Sequence, residues 1–161
     1  LHEYKGEYVE SERLMQRVVA RVGEDQQAYM MLGQNMQFNR SFQEINDFYT
    51  SSLEANPNWT LVWEDYVAWL KRGNATNEAL DASSVANYLN QSSSRLLIQY
   101  ALIQMEFGDP EVAVKIFAQM TVDRPTDPNV WMMLSKAQNV AGDSASSQSS
   151  YERSLSLPRE N

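Results

Sequence analysis

The chain has 161 residues, of which 43% are hydrophobic and 11% aromatic, enough for a packed core and too much for a disordered segment. Thirteen Lys and Arg against 21 Asp and Glu leave a net charge of −8, which argues against binding the phosphate backbone of nucleic acid. With no cysteine, disulfides, thiolate metal sites and cysteine nucleophiles are excluded, and no run approaches the about 18 apolar residues that cross a membrane.

Taken in order, residues 1–25 predict a turn at Gly6 and then one amphipathic helix, YVESERLMQRVVARV, with Met15, Val18, Val19 and Val22 facing inward. No signal-peptide pattern opens the chain, and a start at Leu1 rather than Met is that expected of a fragment, with room upstream for an anchor or signal.

From residue 26 the chain repeats every 34 residues. A large apolar residue recurs as Tyr29, Trp63, Leu97 and Trp131, followed three places on by Leu32, Tyr66, Tyr100 and Leu134. The next place is small or β-branched (Gly33, Val67, Ala101, Ser135), as close helix approach requires. Arg40, Asn74, Gly108 and Gly142 fall at turns, mostly residue types that tolerate positive φ. A second helix then turns inward Ile45, Ala79, Ala113 and Ser147, and four residues later Tyr49, Ser83, Phe117 and Tyr151. Pro57, Pro125 and, one place early, Pro158 close the loops. The spacing thus predicts one domain over 1–161: a half unit at 1–25 and helix–turn–helix units at 26–59, 60–93, 94–127 and 128–161. The clearest unit is Arg95–Pro125, whose two helices meet at Gly108-Asp109-Pro110.

Two second helices look weak. That of 60–93 has Ser83 and Ser84, then NQSSS where a proline is expected. The last helix has seven Ser within Ser144–Ser156, and serine is a mediocre helix former, so fraying is expected there. A linker or modified Ser tract is the rival reading, against which Tyr151 and Leu155 fall on register.

Catalytic patterns are missing. The single histidine is His2, the glycines are too far apart for a phosphate cradle, and no HExxH spacing occurs. Neighbouring carboxylates such as Glu44/Asp47, Glu64/Asp65 and Asp109/Glu111 read as solvated charges and helix caps, and no nucleophile has a base and an orienting partner. No enzyme activity and no cofactor is expected.

The columns resemble the tetratricopeptide family, whose 34-residue unit has a W…L-G…Y…A…F…P signature. The resemblance covers essentially the whole chain and implies an all-α fold, a tetratricopeptide (TPR) superhelix or α-solenoid of about four helix-turn-helix repeats preceded by one extra helix. It also implies that the first helices line a concave groove. The second, fifth, ninth, twelfth and thirteenth places of each unit would then face a protein or peptide ligand. Among the residues at those places are Met30, Gln34 and Phe38, then Leu61, Glu64, Lys71 and Arg72, then Arg95, Ile98, Leu102 and Met105, and finally Met132 and Lys136. Methionine suits a surface that adapts to an apolar helix. Lys71, Arg72, Arg95 and Lys136 could receive a peptide carboxylate, or be ordinary solvated cations. Met30 and Gln34 stand where chaperone-tail TPRs place Lys and Asn, a departure that argues against the heat-shock co-chaperone class.

A narrower resemblance is to the periplasmic TPR domain of bacterial cytochrome c maturation proteins, the CcmI/NrfG type. Three segments carry it: Ala28-Tyr29-Met30-Met31-Leu32-Gly33, Glu64-Asp65-Tyr66-Val67-Ala68-Trp69-Leu70, and Met105-Glu106-Phe107-Gly108-Asp109-Pro110-Glu111-Val112-Ala113. The NQSSS stretch and the Ser-rich last helix depart from that pattern. The resemblance implies a periplasmic holding role, with the groove binding the C-terminal helix of apocytochrome c or the tail of a haem-ligation partner. It implies no membrane contact by these residues themselves, with any anchor lying upstream. The alternative is a scaffold in another envelope assembly machine, such as a pilus or secretion system, with no peptide-chaperone role.

Overall fold

The structure, a computed structural model, describes residues 2–23 and 25–158. The start at Leu1, the side chain of His2 and the end of the fourth unit at 159–161 lie outside the described residues. Within them every element is an α-helix: α1 (His2–Val22), α2 (Gln26–Met36), α3 (Phe42–Ala55), α4 (Thr60–Arg72), α5 (Thr76–Leu89), α6 (Ser94–Phe107), α7 (Pro110–Asp123), α8 (Pro128–Val140) and α9 (Ser144–Ser156). After α1 they follow as the hairpins α2/α3, α4/α5, α6/α7 and α8/α9.

Local chemistry sets most of the starts. The side chains of Asp25, Ser93, Asp109, Asp127 and Asp143 each accept a backbone N–H of the following first turn. Ser41 and Glu44 form a full capping box at α3, and Pro110 and Pro128 occupy first helical positions, where a missing N–H costs nothing. Of the four expected turn positions, Asn74 (φ 55°) and Gly142 (φ 90°) are left-handed, whereas Arg40 and Gly108 have negative or ordinary φ.

Each hairpin packs on the next, α3 on α4, α5 on α6 and α7 on α8. The first helices α2 and α4 also lie side by side, as do α4 and α6, while the second helices of successive hairpins make no comparable contact among the described residues. From α2 to α6 the first helices lie together while the second helices splay, so the row curves there with the first helices on its inner face.

The core follows the columns, with one shift. Two places in the first helices are buried in every unit: the small column Gly33, Val67, Ala101 and Ser135, and the column of Ala28, Val62, Leu96 and Val130, one residue ahead of the large-residue column. Trp63 and Trp131 sit at its shoulder and hook onto the preceding loop: their indole N–H groups donate to the carbonyls of Pro57 and Pro125, both at 3.0 Å. In the second helices Ile45, Ala79, Ala113, Tyr49, Ser83 and Phe117 are all buried. Tyr49, Tyr66 and Trp69 pack ring against ring, with centroids 5.2–6.1 Å apart.

Four local expectations need correction. The first concerns Gly6, which is not a turn: α1 runs straight through it, and nothing lies within 4 Å of where a Cβ would be. Glycine costs a helix interior only about 1 kcal/mol, which the surrounding helix tolerates. The inward face of α1 is also rotated. It docks on α2 through Tyr8, Ser11, Glu12, Met15 and Val19, leaving Val18 and Val22 exposed.

The helix α5 is as long as its neighbours; Gln91 stands at the place of the missing proline, and Asn90 just before it makes the tie to the preceding unit. That buried side chain donates to the Pro57 carbonyl of the preceding unit and to Ala86, both at 3.1 Å. The serine-rich α9 is a complete helix. It buries Ser150 and Ser154 against α8, and Ser135 and Ser147 exchange hydroxyl-to-carbonyl hydrogen bonds, each 2.9 Å. Tyr151 and Leu155 are exposed instead, because the side they face is the one that a following first helix covers in the other units.

The docking of α1 depends on a carboxylate. Glu12 is 3% exposed and receives Arg40 at 2.8 Å, Asn39 at 2.7 Å and Gln16 at 3.0 Å. The hydrogen bond from Arg40 holds its carboxyl below the usual range, while burial pulls the other way. Glu44, also bound to Arg40, is lowered to about 2, chiefly by the Ser41 backbone N–H and hydroxyl. Both groups are depressed, so the stability they add is present above the ordinary carboxylate value of 4.5 and is lost as pH falls through the depressed values. The expected result is that the Tyr8–Phe38 ring contact, followed by NMR, disappears between pH 4.5 and about 2 while the α4–α7 core persists. Glu12→Gln should loosen α1 already at neutral pH.

Candidate functional site

The inner face is built from the first helices, and the residues the sequence assigned to it divide into two sets. Met30, Leu61, Ile98, Leu102 and Met105 are half-buried. Their inner flanks rest on the core: Met30 packs on the cluster around Tyr49 and Trp63, and Ile98, Leu102 and Met105 on the cluster around Ala101 and Phe117. Each leaves part of its side chain to solvent, which gives the face an apolar row.

The polar set is mostly engaged between neighbouring first helices. Gln34 donates to Asp65 at 2.9 Å, and Arg72 to Gln37 at 3.0 Å. Arg95 pairs with Glu64 at 3.0 Å, and Lys71 with Glu106. Gln99 donates to the Glu64 carbonyl at 2.8 Å and the Leu61 N–H to Gln26 at 3.3 Å, completing a ladder of ties one unit apart. Three of the four expected carboxylate receivers, Lys71, Arg72 and Arg95, therefore have protein partners. Lys136 is exposed and makes no salt bridge among the described residues. Burial pushes the Glu64 carboxyl above its ordinary value, with Arg95 opposing.

Phe38 and Met132 stand apart from the row. Phe38 lies beyond the end of α2 and is 60% exposed, but its ring stacks on Tyr8 of α1 at 4.5 Å and 7°. Met132 lines a hollow of about 850 Å³ with the α7–α8 turn, Ser154 and Pro158 at the end of the last hairpin.

One component was not visible in the sequence. Tyr49 is fully buried, yet its hydroxyl reaches up under the inner face, donating to Asp65 and accepting from Gln37 at 3.0 Å. Burial, and then the Asp65 carboxylate, push this phenol well above its usual value, so it stays a neutral donor. The core of the first hairpin is thereby wired to Gln34, Gln37 and Arg72 on the face above.

No protein-family model matches the chain, and no curated protein matches it. Solved structures do. MamA from Desulfovibrio magneticus RS-1 (residues 41 to its end) aligns at TM-score 0.69 and 13% identity, over 96% of this chain and 87% of its own. PilF of Pseudomonas aeruginosa aligns at 0.66 and 14%, over 99% and 73%. Naa15, solved with Naa10 bound to HypK-THB, aligns at 0.66 and 18%, over 99% of this chain but 24% of that one. These neighbours are tetratricopeptide-type helical repeat proteins.

The fold is a TPR solenoid. At these identities the likeness establishes the architecture, with the inner face as its concave side, and leaves the ligand to the chemistry of the face itself. No helix among the described residues is long and apolar enough to cross a membrane.

Proposed function

We propose that this solenoid is a peptide-binding assembly module whose concave face takes the apolar side of an amphipathic helix. The observation that carries this is the half-buried row Met30, Leu61, Ile98, Leu102 and Met105 running across three successive first helices. Flexible apolar side chains anchored below and open above fit a helix laid in a groove. Naa15 is a structural neighbour seen in complex with other proteins, which supports the interaction class. The cytochrome c maturation resemblance supports a periplasmic holding role, with the C-terminal helix of apocytochrome c, or the tail of a haem-ligation partner, as ligand.

Titration with C-terminal peptides of c-type cytochromes should show saturable binding. Leu102→Glu should weaken it by at least about tenfold, the loss expected when a central apolar anchor is removed, with helical circular dichroism unchanged. No binding at high micromolar peptide would sink the reading, and an unaffected Leu102→Glu variant would move the ligand off the concave face.

A second reading is a scaffold of another envelope assembly machine, packing against a folded partner. The engagement of Lys71, Arg72 and Arg95 in ties between units favours it, since that leaves Lys136 alone of the four to greet a chain-terminal carboxylate.

A further inference from the structure

The convex side of the second hairpin departs from the rest of the solenoid. At its three solvent-facing places near the end of the second helix, α3 has Ser51, Glu54 and Ala55, α7 has Gln119, Val122 and Asp123, and α9 has Arg153, Ser156 and Leu157. The same places in α5 hold Val85, Tyr88 and Leu89, exposed by 46%, 73% and 48%. Val85 and Leu89 border a hollow of about 310 Å³ between α3 and α5, whose lining is completed by Thr50, Leu53, Glu54, Pro57, Trp63 and Tyr66.

The hollow has a cause in the sequence. The inner face of α5 is Ala79, Ala82, Ser83 and Ala86, small residues where α3 has Ile45, Phe48 and Tyr49, so α5 brings no bulk to fill the space beside α3. The exposed aliphatic wall of Val85 and Leu89 is thus left beside the edges of the buried rings of Trp63 and Tyr66.

Among the described residues Glu54 alone brings charge to the lining of the hollow, and the two helices that flank it carry charge of a single sign. The helices α3 and α5 carry Glu44, Asp47, Glu54, Glu78 and Asp81 and no Lys or Arg. Glu44 is paired with Arg40, and among the described residues the other four make no salt bridge. A second copy of this chain, at net charge −8, would be repelled from such a face, as would an anionic lipid surface.

The geometry points to a second docking site on the convex face, between α3 and α5. It takes a basic segment of a partner protein that plants a bulky apolar side chain against Trp63 and Tyr66. The apolar anchor supplies affinity and the flanking Lys or Arg of the partner meets Glu54 and Asp81. This site is separate from the concave row, so the solenoid can hold one chain on its inner face and another on its outer face.

The test uses the 161-residue chain and a fluorescein-labelled peptide with a Leu-Phe pair flanked by lysines, beside two controls: Glu in place of Lys, and Ser in place of Leu-Phe. The lysine/Leu-Phe peptide should bind at least about tenfold more tightly than either control and weaken as salt rises. The double variants Val85→Ser/Leu89→Ser and Glu54→Lys/Asp81→Lys should each cost about tenfold or more, with unchanged circular dichroism. Leu102→Glu, on the concave row, should leave this affinity alone. The proposal is overturned by equal binding of the Glu-flanked peptide, by binding indifferent to Val85→Ser/Leu89→Ser, by loss of binding in Leu102→Glu, or by no binding below millimolar peptide. Self-association abolished by Val85→Ser/Leu89→Ser would overturn it too, by assigning the hollow to a second copy.

Discussion

Replacing Phe117 by alanine is expected to cost about 3–5 kcal/mol, the usual penalty for emptying a core aromatic site, and to unfold the C-terminal half of the solenoid ahead of the rest. Phe117 is completely buried at the centre of the cluster formed by Ala101, Ala113, Met120, Val130, Leu134 and Ala137. Its neighbours are mostly alanine or held in a helix, so they cannot collapse into the cavity. A repeat row is stable through contacts between adjacent units, and a loss at one junction is felt locally first. The Tyr49–Tyr66–Trp69 core lies in the other cluster. Hydrogen exchange at increasing denaturant should therefore show α7–α9 opening well before α3–α5 in the variant. Simultaneous opening of all helices would mean that the two clusters act as one cooperative unit.

Gly33→Ala is expected to be nearly as damaging for the size of the change, at about 1–3 kcal/mol for one methyl group. A Cβ at Gly33 would stand 2.6, 2.7 and 2.9 Å from the Oη, Cζ and Cε1 atoms of Tyr49. That ring is fully buried and its hydroxyl is fixed by Asp65 and Gln37, so it has nowhere to move without giving up those bonds. The thermal midpoint should fall, and repeating the change in a Tyr49→Phe background should reduce the loss without removing it, because Cζ would still be 2.7 Å away. A penalty unchanged by Tyr49→Phe would show that the hydroxyl takes no part in the clash.

How far the sequence reached can be read from these residues. Phe117 and Gly33 both stand on the 34-residue step, because a column that must be large or small in every unit leaves a mark in composition. Leu96 leaves no such mark, because the large rings of Trp63 and Trp131 dominate the neighbouring place while its own column, Ala28, Val62, Leu96 and Val130, varies in size. The NQSSS stretch reads as lacking a proline, and the role of Asn90 within it stays hidden, since a side-chain bond to the loop of the preceding unit has no local signature. Tyr151 kept its register but not its burial, which depends on what packs over α9 and not on α9 itself.

The inner face was legible as a set of places, and its electrostatics were not. Lys71 with Glu106 and Arg95 with Glu64 are opposite charges 35 and 31 residues apart, close to one repeat step. A search for complementary charges at those offsets would have identified them as ties between units. The buried Glu12 was hidden for a similar reason: its partner Arg40 sits 28 residues on, in a turn whose own role looked purely conformational.

The central claim, that the concave row receives an apolar helix, is tested most directly by ¹³C-methyl methionine NMR during titration with an apocytochrome C-terminal peptide. Met30 and Met105 belong to the row, while Met120 is sealed in the core under Phe117. The Met30 and Met105 methyl signals should move together along one binding curve while Met120 stays in place. Saturable binding that leaves Met105 unmoved would contradict the claim.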